Sequence, residues 1–324
     1  MRQAIPKKAS FFTLLMLMGV TLPISAVAHA QAPAAADEQA VTARPVFEPS
    51  EGGASANNST VGYIDSALPG NQFRLRFDAA YDFRRPTRAE FFYARSGALS
   101  PGLPQPEPRI DYQDLSAYLE LAANDRLSGF VELPWRFLNP EVNANANGLS
   151  DMNAGFKYAF LCHEDLVATF QFRTYIPTGD AHRGLGNHHV SLEPAFLFYD
   201  RLTDRLGLEG EFRYWVPIDG TNFAGDLVRY GLGLHYDVWK SCTMTVSPVA
   251  EFVGWTVLDG KESAVTPSGL VAIRDAAGDT IVNVKLGLRL RLDSLGDFYA
   301  GYGRSLTGER WYENTFRFEF RLFF

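Results

Sequence analysis

The stretch TFRFEFRLFF at residues 315–324 decides how this chain is read. Phe316, Phe318, Phe320, Leu322 and Phe324 fall on one face, and Thr315, Arg317, Glu319 and Arg321 on the other. That period of two places successive side chains on opposite sides of a β-strand. The same alternation runs through IVNVKLGLRLRL at residues 281–292, where Val282, Val284, Leu286, Leu288, Leu290 and Leu292 oppose Lys285, Arg289 and Arg291. If the apolar face meets lipid, turning this strand over puts the three cations into hydrocarbon at roughly 2–4 kcal/mol each near the midplane, about 10 kcal/mol together. Which face points outward is therefore strongly specified.

Further copies lie toward the N-terminus. Phe73, Leu75, Phe77, Ala79, Tyr81 and Phe83 share a face, as do Leu127, Gly129, Val131, Leu133, Trp135 and Phe137. Ala154, Phe156, Tyr158 and Phe160 repeat the pattern, then Ala168, Phe170, Phe172 and Ile176, then Leu206, Leu208, Phe212, Tyr214 and Val216, then Val228 through Val238. Weaker copies fall near 113–121, 189–199, 243–255 and 297–306. A secreted β-sandwich also alternates, so the connections must choose. Short links (AANDR, LCHED, DRLTD, WKSC, DSLGD) alternate with long ones such as LNPEVNANANG, PTGDAHRGLGNH and PIDGTNFAGD. This parity belongs to periplasmic turns and extracellular loops. The expected fold is all-β, a transmembrane antiparallel up-and-down β-barrel of about twelve strands in the outer membrane of a diderm bacterium. Pro194 and Pro248 fall inside expected strands of a ring without free edges, and predict bulges or misplaced strand ends there.

Residues 1–30 read as a signal peptide: Arg2, Lys7 and Lys8, an apolar run from Phe11 to Val20, and Ala28-His29-Ala30 as the cleavage site. Its removal takes away three basic residues and no acidic one, moving the formal net charge from -7 to -10. Nucleic acid is excluded as a partner on that balance. Residues 31–70, rich in Ala, Pro, Asn, Ser and Glu toward their start, are expected to be a flexible periplasmic lead-in, with a plug of the lumen left open as the other placement, and residues 71–324 the barrel. No apolar stretch beyond residue 30 reaches the length of a membrane helix.

At GLSDMNAGFKYAFL, followed by FQFRTYIPTGD and GLGNHHVSLEPAFLFYDRLTDRL, the chain resembles the outer-membrane family named for phenol meta-pathway (MetA-pathway) degradation transporters. The resemblance rests on Gly148-Leu149-Ser150-Asp151, Pro177-Thr178-Gly179-Asp180 and Gly184-Leu185-Gly186. It covers residues 148–216 most clearly. It implies a channel-like protein passing small, often aromatic or hydrophobic compounds. The terminal Phe324 resembles the assembly signal by which the barrel assembly machinery takes up such proteins.

The inward face is expected to carry Arg74, Arg76, Glu132, Arg136, Lys157, Arg173, Glu193, Glu211, Arg213, Arg229, Lys285, Arg289 and Arg291, with Glu120, Asp237, Glu251, Arg317, Glu319 and Arg321. Mixed signs fit a polar pore lining, and equally a lumen cross-braced by its own ion pairs. They predict weak ion selectivity, and about twelve strands predict a narrow or partly occluded path. The functional expectation is a narrow channel or uptake porin for small solutes, with outer-membrane lipid as its surroundings and loops 84–111 and 256–279 as candidate gates. The alternative is a structural or surface-interaction barrel with a closed lumen.

Other chemistry is weaker. His189 and Ser191 share a strand face, a spacing usable by a barrel hydrolase, without an oxyanion-forming glycine pattern beside them. His182, His188, His189 and Asp180 share one loop but lack the spacing of a metal site. No enzymatic activity, cofactor or metal is therefore expected. Cys162 and Cys242 fall in short turns about four strands apart, a chord beyond the roughly 7 Å reach of a disulfide, and are expected to be free thiols.

Overall fold

The computed structural model describes residues 59–84, 101–218, 220, 222–265, 271–293, 295–307 and 311–324. The signal peptide expected at 1–30, and residues 31–58 of the expected lead-in, lie outside the described residues. The strands are β1 (Gln72–Phe83), β2 (Ile110–Asn124), β3 (Leu127–Pro140), β4 (Ala146–Leu149), β5 (Met152–Cys162), β6 (Leu166–Ile176), β7 (Ser191–Arg201), β8 (Leu206–Pro217), β9 (Leu227–Tyr236), β10 (Trp239–Lys240), β11 (Met244–Val257), β12 (Lys261–Val265), β13 (Val271–Asp275), β14 (Thr280–Leu292), β15 (Gly296–Ser305) and β16 (Asn314–Phe323).

Each long strand pairs antiparallel with its chain neighbours, and β1 pairs with β16 from Gln72↔Phe323 to Tyr81↔Asn314, so the sheet closes on itself. The ring holds twelve strands: β1, β2, β3, β5, β6, β7, β8, β9, β11, β14, β15 and β16. The short strand β4 extends β5 along β3, β10 sits on β11 beyond the end of β9, and β12 and β13 form a separate hairpin. An even ring returns both ends of the barrel to the rim of short turns, the periplasmic one.

The faces are inverted relative to a water-soluble protein. Leu286, Leu288, Phe252, Phe318, Phe196 and Phe212 are exposed on the outside, while Lys157, Arg213, Arg289, Glu120 and Glu251 are buried inside. An apolar exterior around a charged interior is the arrangement lipid imposes, since hydrocarbon cannot solvate charge. The protein is thus an outer-membrane barrel of a Gram-negative bacterium. Leu286 lies near the middle of β14 and is 56% exposed. Leu286→Arg is expected to destabilise the folded barrel by about 2–4 kcal/mol, read as a lower urea midpoint in lipid vesicles. An unchanged midpoint would remove Leu286 from the lipid face.

The prolines are accommodated differently. Pro194 stands inside β7 opposite Phe172, and the β7–β8 register is the same on either side of it, at Leu192↔Val216 and Ala195↔Arg213. The bulge or strand end expected there is corrected: a short gap in one ladder suffices for the missing N–H. At Pro248 the register does slip by one, from Val249↔His235 to Val246↔Trp239. Pro134 produces a similar slip, Glu132↔Asn153 giving way to Trp135↔Leu149, and this separates β4 from β5. Its carbonyl still accepts from Ser150 N–H at 2.9 Å.

At the rim of long loops, Phe83, Leu103, Ile110, Leu138, Ala146, Leu185, Val257, Ala276, Ile281, Trp311 and Tyr312 pack into one apolar cluster. Two loops read as gates contribute to it through Leu103 and Ala276. The first is fastened further by the Glu107 carboxylate, which accepts from the backbone N–H groups of Glu141, Val142 and Asn143 at 2.5–3.1 Å. Cys162 and Cys242 are free and exposed.

Candidate functional site

The lumen is not empty. Residues 59–70, STVGYIDSALPG, lie inside the barrel, so the reading of 31–70 as a flexible periplasmic lead-in is corrected for this part. Composition misleads here because the partners that order the segment, polar and apolar alike, belong to the wall around it. It rises from Ser59, near Arg321 at the periplasmic end, to Tyr63 at the level of Lys285, and returns through Ala67 to Gly70 and β1.

Carboxylates of the wall take the segment's N–H groups. Glu209 accepts from Thr60 and Val61 at 2.8 and 3.2 Å, and Glu251 from Gly62, Tyr63 and Ile64 at 2.8–3.2 Å. Guanidinium groups take its carbonyls: Arg321 to Ser59 (2.5 Å), Arg289 to Thr60 (2.6 Å) and Val61 (2.8 Å), Arg317 to Gly62 (2.6 Å), and Arg229 to Tyr63 (2.6 Å). A peptide without secondary structure has backbone polar groups satisfied by buried charges of both signs, as burial of a peptide demands.

Side chains complete the fit. The Tyr63 ring lies 3.7 Å from Lys285 Nζ and 4.1 Å from Arg317 Cζ, measured to its centroid, in cation–π contact with both. Val61, Tyr63 and Ile64 pack on Val249, Val253 and Tyr299. Gly62 passes so close to Tyr299 that a Cβ would stand 2.2 Å from its ring, so any larger residue would have to displace that ring. The Asp65 carboxylate meets three guanidinium groups, Arg173 at 2.6 Å, Arg213 at 2.8 Å and Arg74 at 3.8 Å.

The inward residues expected from alternation have the following surroundings. Arg76 bonds Glu132 at 2.6 Å, and Arg136 grips Asp114 through two bonds of 2.8 Å. Lys157 pairs with Glu120 at 2.9 Å, and Arg213 with Glu193 (2.8 Å) and Glu211 (2.6 Å). Glu211 also pairs with Arg229 at 2.8 Å. Arg289 reaches Asp297 (2.5 Å) and Glu319 (3.0 Å), and Arg291 approaches Thr60 Oγ1 at 3.5 Å. Alternation also puts Asp78, Asp114, Glu209 and Asp297 on this face. Continuing the runs Arg74-x-Arg76 and Glu211-x-Arg213 by one step would have found Asp78 and Glu209. Asp65 carries no periodic signal and was missed.

His189 Nδ1 pairs with Asn187 O at 2.6 Å, and Ser191 Oγ makes no hydrogen bond among the described residues. Asp180 caps the single turn Ala181–Arg183 by accepting from His182 N–H at 3.0 Å, leaving it in a structural role. No group of three or more His, Cys, Asp or Glu is placed to hold a metal ion among the described residues.

No family model matches the chain, and no curated protein is similar to it in sequence. Solved structures are similar in fold. The COG4313 outer membrane channel from Pseudomonas putida F1 has a TM-score of 0.51 at 12% identity, over 82% of this chain and 100% of that one. The NanC porin has a TM-score of 0.46 at 9% identity, over 79% of this chain and 100% of that one. The KdgM porin reaches 0.43 at 9%, over 78% and 99%. At such identities the likeness is one of fold, and the fold shared with the first of these is the outer-membrane barrel that the strand pairings close at twelve.

Proposed function

We propose that this chain is an outer-membrane channel for small solutes, held shut by its own N-terminal segment. The observation that carries this is the attachment of residues 59–70. They are fastened to the wall by hydrogen bonds and ion pairs, bonds that water can replace, and the wall behind them is charged and hydrophilic. The segment blocks a path that the same residues would line: Arg74, Arg76, Glu132, Arg136, Lys157, Arg173, Glu193, Glu211, Arg213, Arg229, Lys285, Arg289 and Arg291. Small aromatic or hydrophobic solutes are the proposed cargo, in keeping with the resemblance at residues 148–216. Residues 1–30 would be removed on export, and Phe324 would direct insertion by the barrel assembly machinery.

Planar-bilayer recording tests the proposal. The exported chain is expected to be nearly silent, and the same chain lacking residues 59–68 to give steady small openings of weak ion selectivity. Silence from the deleted chain, once heat-modifiable gel mobility shows it folded, would favour the second reading. That reading, a closed structural barrel, is supported by the apolar cluster of Phe83, Leu103, Leu185 and Trp311 at the long-loop rim.

A further inference from the structure

Asp65 is the one charged residue of STVGYIDSALPG, and it stands where three wall arginines converge. We infer that Arg74, Arg173 and Arg213 form a binding site for a small organic carboxylate solute, and that Asp65 occupies it as a built-in competitor. The inference rests on the channel reading above and adds the chemical class of the solute.

Several features mark a site for a carboxylate and not a fastening alone. Guanidinium forks match the two oxygens of a carboxylate. Arg213 and Arg173 both contact the same Asp65 oxygen, Oδ2, and Gln171 Nε2 approaches it at 3.4 Å. The other oxygen, Oδ1, has Arg74 only at 3.8 Å. Arg74 is buried, reaches Glu132 and Glu319 also at 3.8 Å, and its Nε and Nη2 make no hydrogen bond among the described residues. Nε of Arg173 makes none either. Such donors in a buried site favour a ligand able to span all three groups better than a short aspartate anchored in a chain. The surroundings are aromatic. Arg74 Cζ lies 4.2 Å above the Tyr118 ring and Arg173 Cζ 5.3 Å from that of Phe130, and these two rings stack at 5.5 Å. A flat carboxylate such as benzoate combines the required charge with a body suited to those rings.

The competition has a measurable form. A tethered carboxylate acts at an effective concentration on the order of millimolar or more, so the unaltered chain should bind free carboxylates weakly. Asp65→Asn keeps the segment and removes its charge. Calorimetry on the full exported chain, refolded in detergent, is expected to show benzoate binding about tenfold or more tighter to Asp65→Asn than to the unaltered protein. Benzamide, the neutral isostere, should not bind, and Arg173→Gln added to Asp65→Asn should abolish the gain. Equal benzoate affinity in the two chains, or equal binding of benzamide, would overturn the inference. If Asp65→Asn does not fold, limited proteolysis of the unaltered chain serves. Benzoate at tens of millimolar should accelerate cleavage within 59–70 and benzamide should not, whereas equal rates would count against the site. Binding heat and cleavage are read without ion flow, so a silent barrel that still binds benzoate separates failure of the channel reading from failure of this one.

Discussion

The Glu251→Ala chain is expected to open where the unaltered chain stays shut. Among the described residues, the hydrogen bonds of that carboxylate go to the plug, at Gly62, Tyr63 and Ile64, or to Tyr299 Oη at 3.2 Å. It therefore holds the plug and contributes little to the wall. Hydrogen bonds to a charged acceptor are worth roughly 1.5–3 kcal/mol each, and water entering a widened lumen recovers part of the loss. A net cost of about 3–5 kcal/mol to plug docking raises the undocked population by about two to four orders of magnitude. Bilayer recording should show frequent openings, and limited proteolysis should cut within 59–70, while heat-modifiable mobility of the barrel is unchanged. A variant as silent and as resistant as the parent would show that the segment does not depend on Glu251.

The second large effect concerns the wall itself. Lys157 and Glu120 are both buried, and Lys157 is the cation paired with Glu120 among the described residues. Glu120 also accepts from Gln72 Nε2 (2.7 Å), Tyr118 Oη (2.6 Å) and Ser128 Oγ (2.6 Å), which ties β1, β2 and β3 together beside the foot of the plug. Lys157→Met leaves a buried carboxylate without its counter-ion, and the expected loss is about 3 kcal/mol in urea unfolding, at the lower end for broken buried pairs because three hydroxyl and amide donors remain. Adding Glu120→Gln removes the stranded charge and should restore most of that loss. If the double variant is no more stable than Lys157→Met, lost packing and not the unpaired charge explains the effect.

The parts of the molecule were legible in the sequence to different degrees. The strands could be read directly, because lipid outside and charge inside force the same alternation on TFRFEFRLFF, IVNVKLGLRLRL and the strand at 72–83. Short and long links in turn established which rim is which. The prolines were legible only in part: Pro248 lies at a register slip as expected, whereas Pro194 is absorbed without one, because neighbouring strands decide whether a missing N–H needs relief.

The sequence by itself determined the barrel, its strand number to within a small margin, the outward and inward faces, and a lumen of mixed charge. These follow from local periodicity, which a strand carries in its own residues. Only the tertiary structure decided which charges pair, since partners such as Arg289 and Glu319 depend on the stagger between strands far apart in the chain. It alone placed residues 59–70 in the lumen as well. STVGYIDSALPG has no periodic pattern, and its order comes from carboxylates, guanidiniums and apolar side chains more than a hundred residues away, such as Glu209, Glu251, Arg317 and Val253. A segment whose hydrogen-bond partners mostly belong to other strands leaves little trace of its position in its own residues.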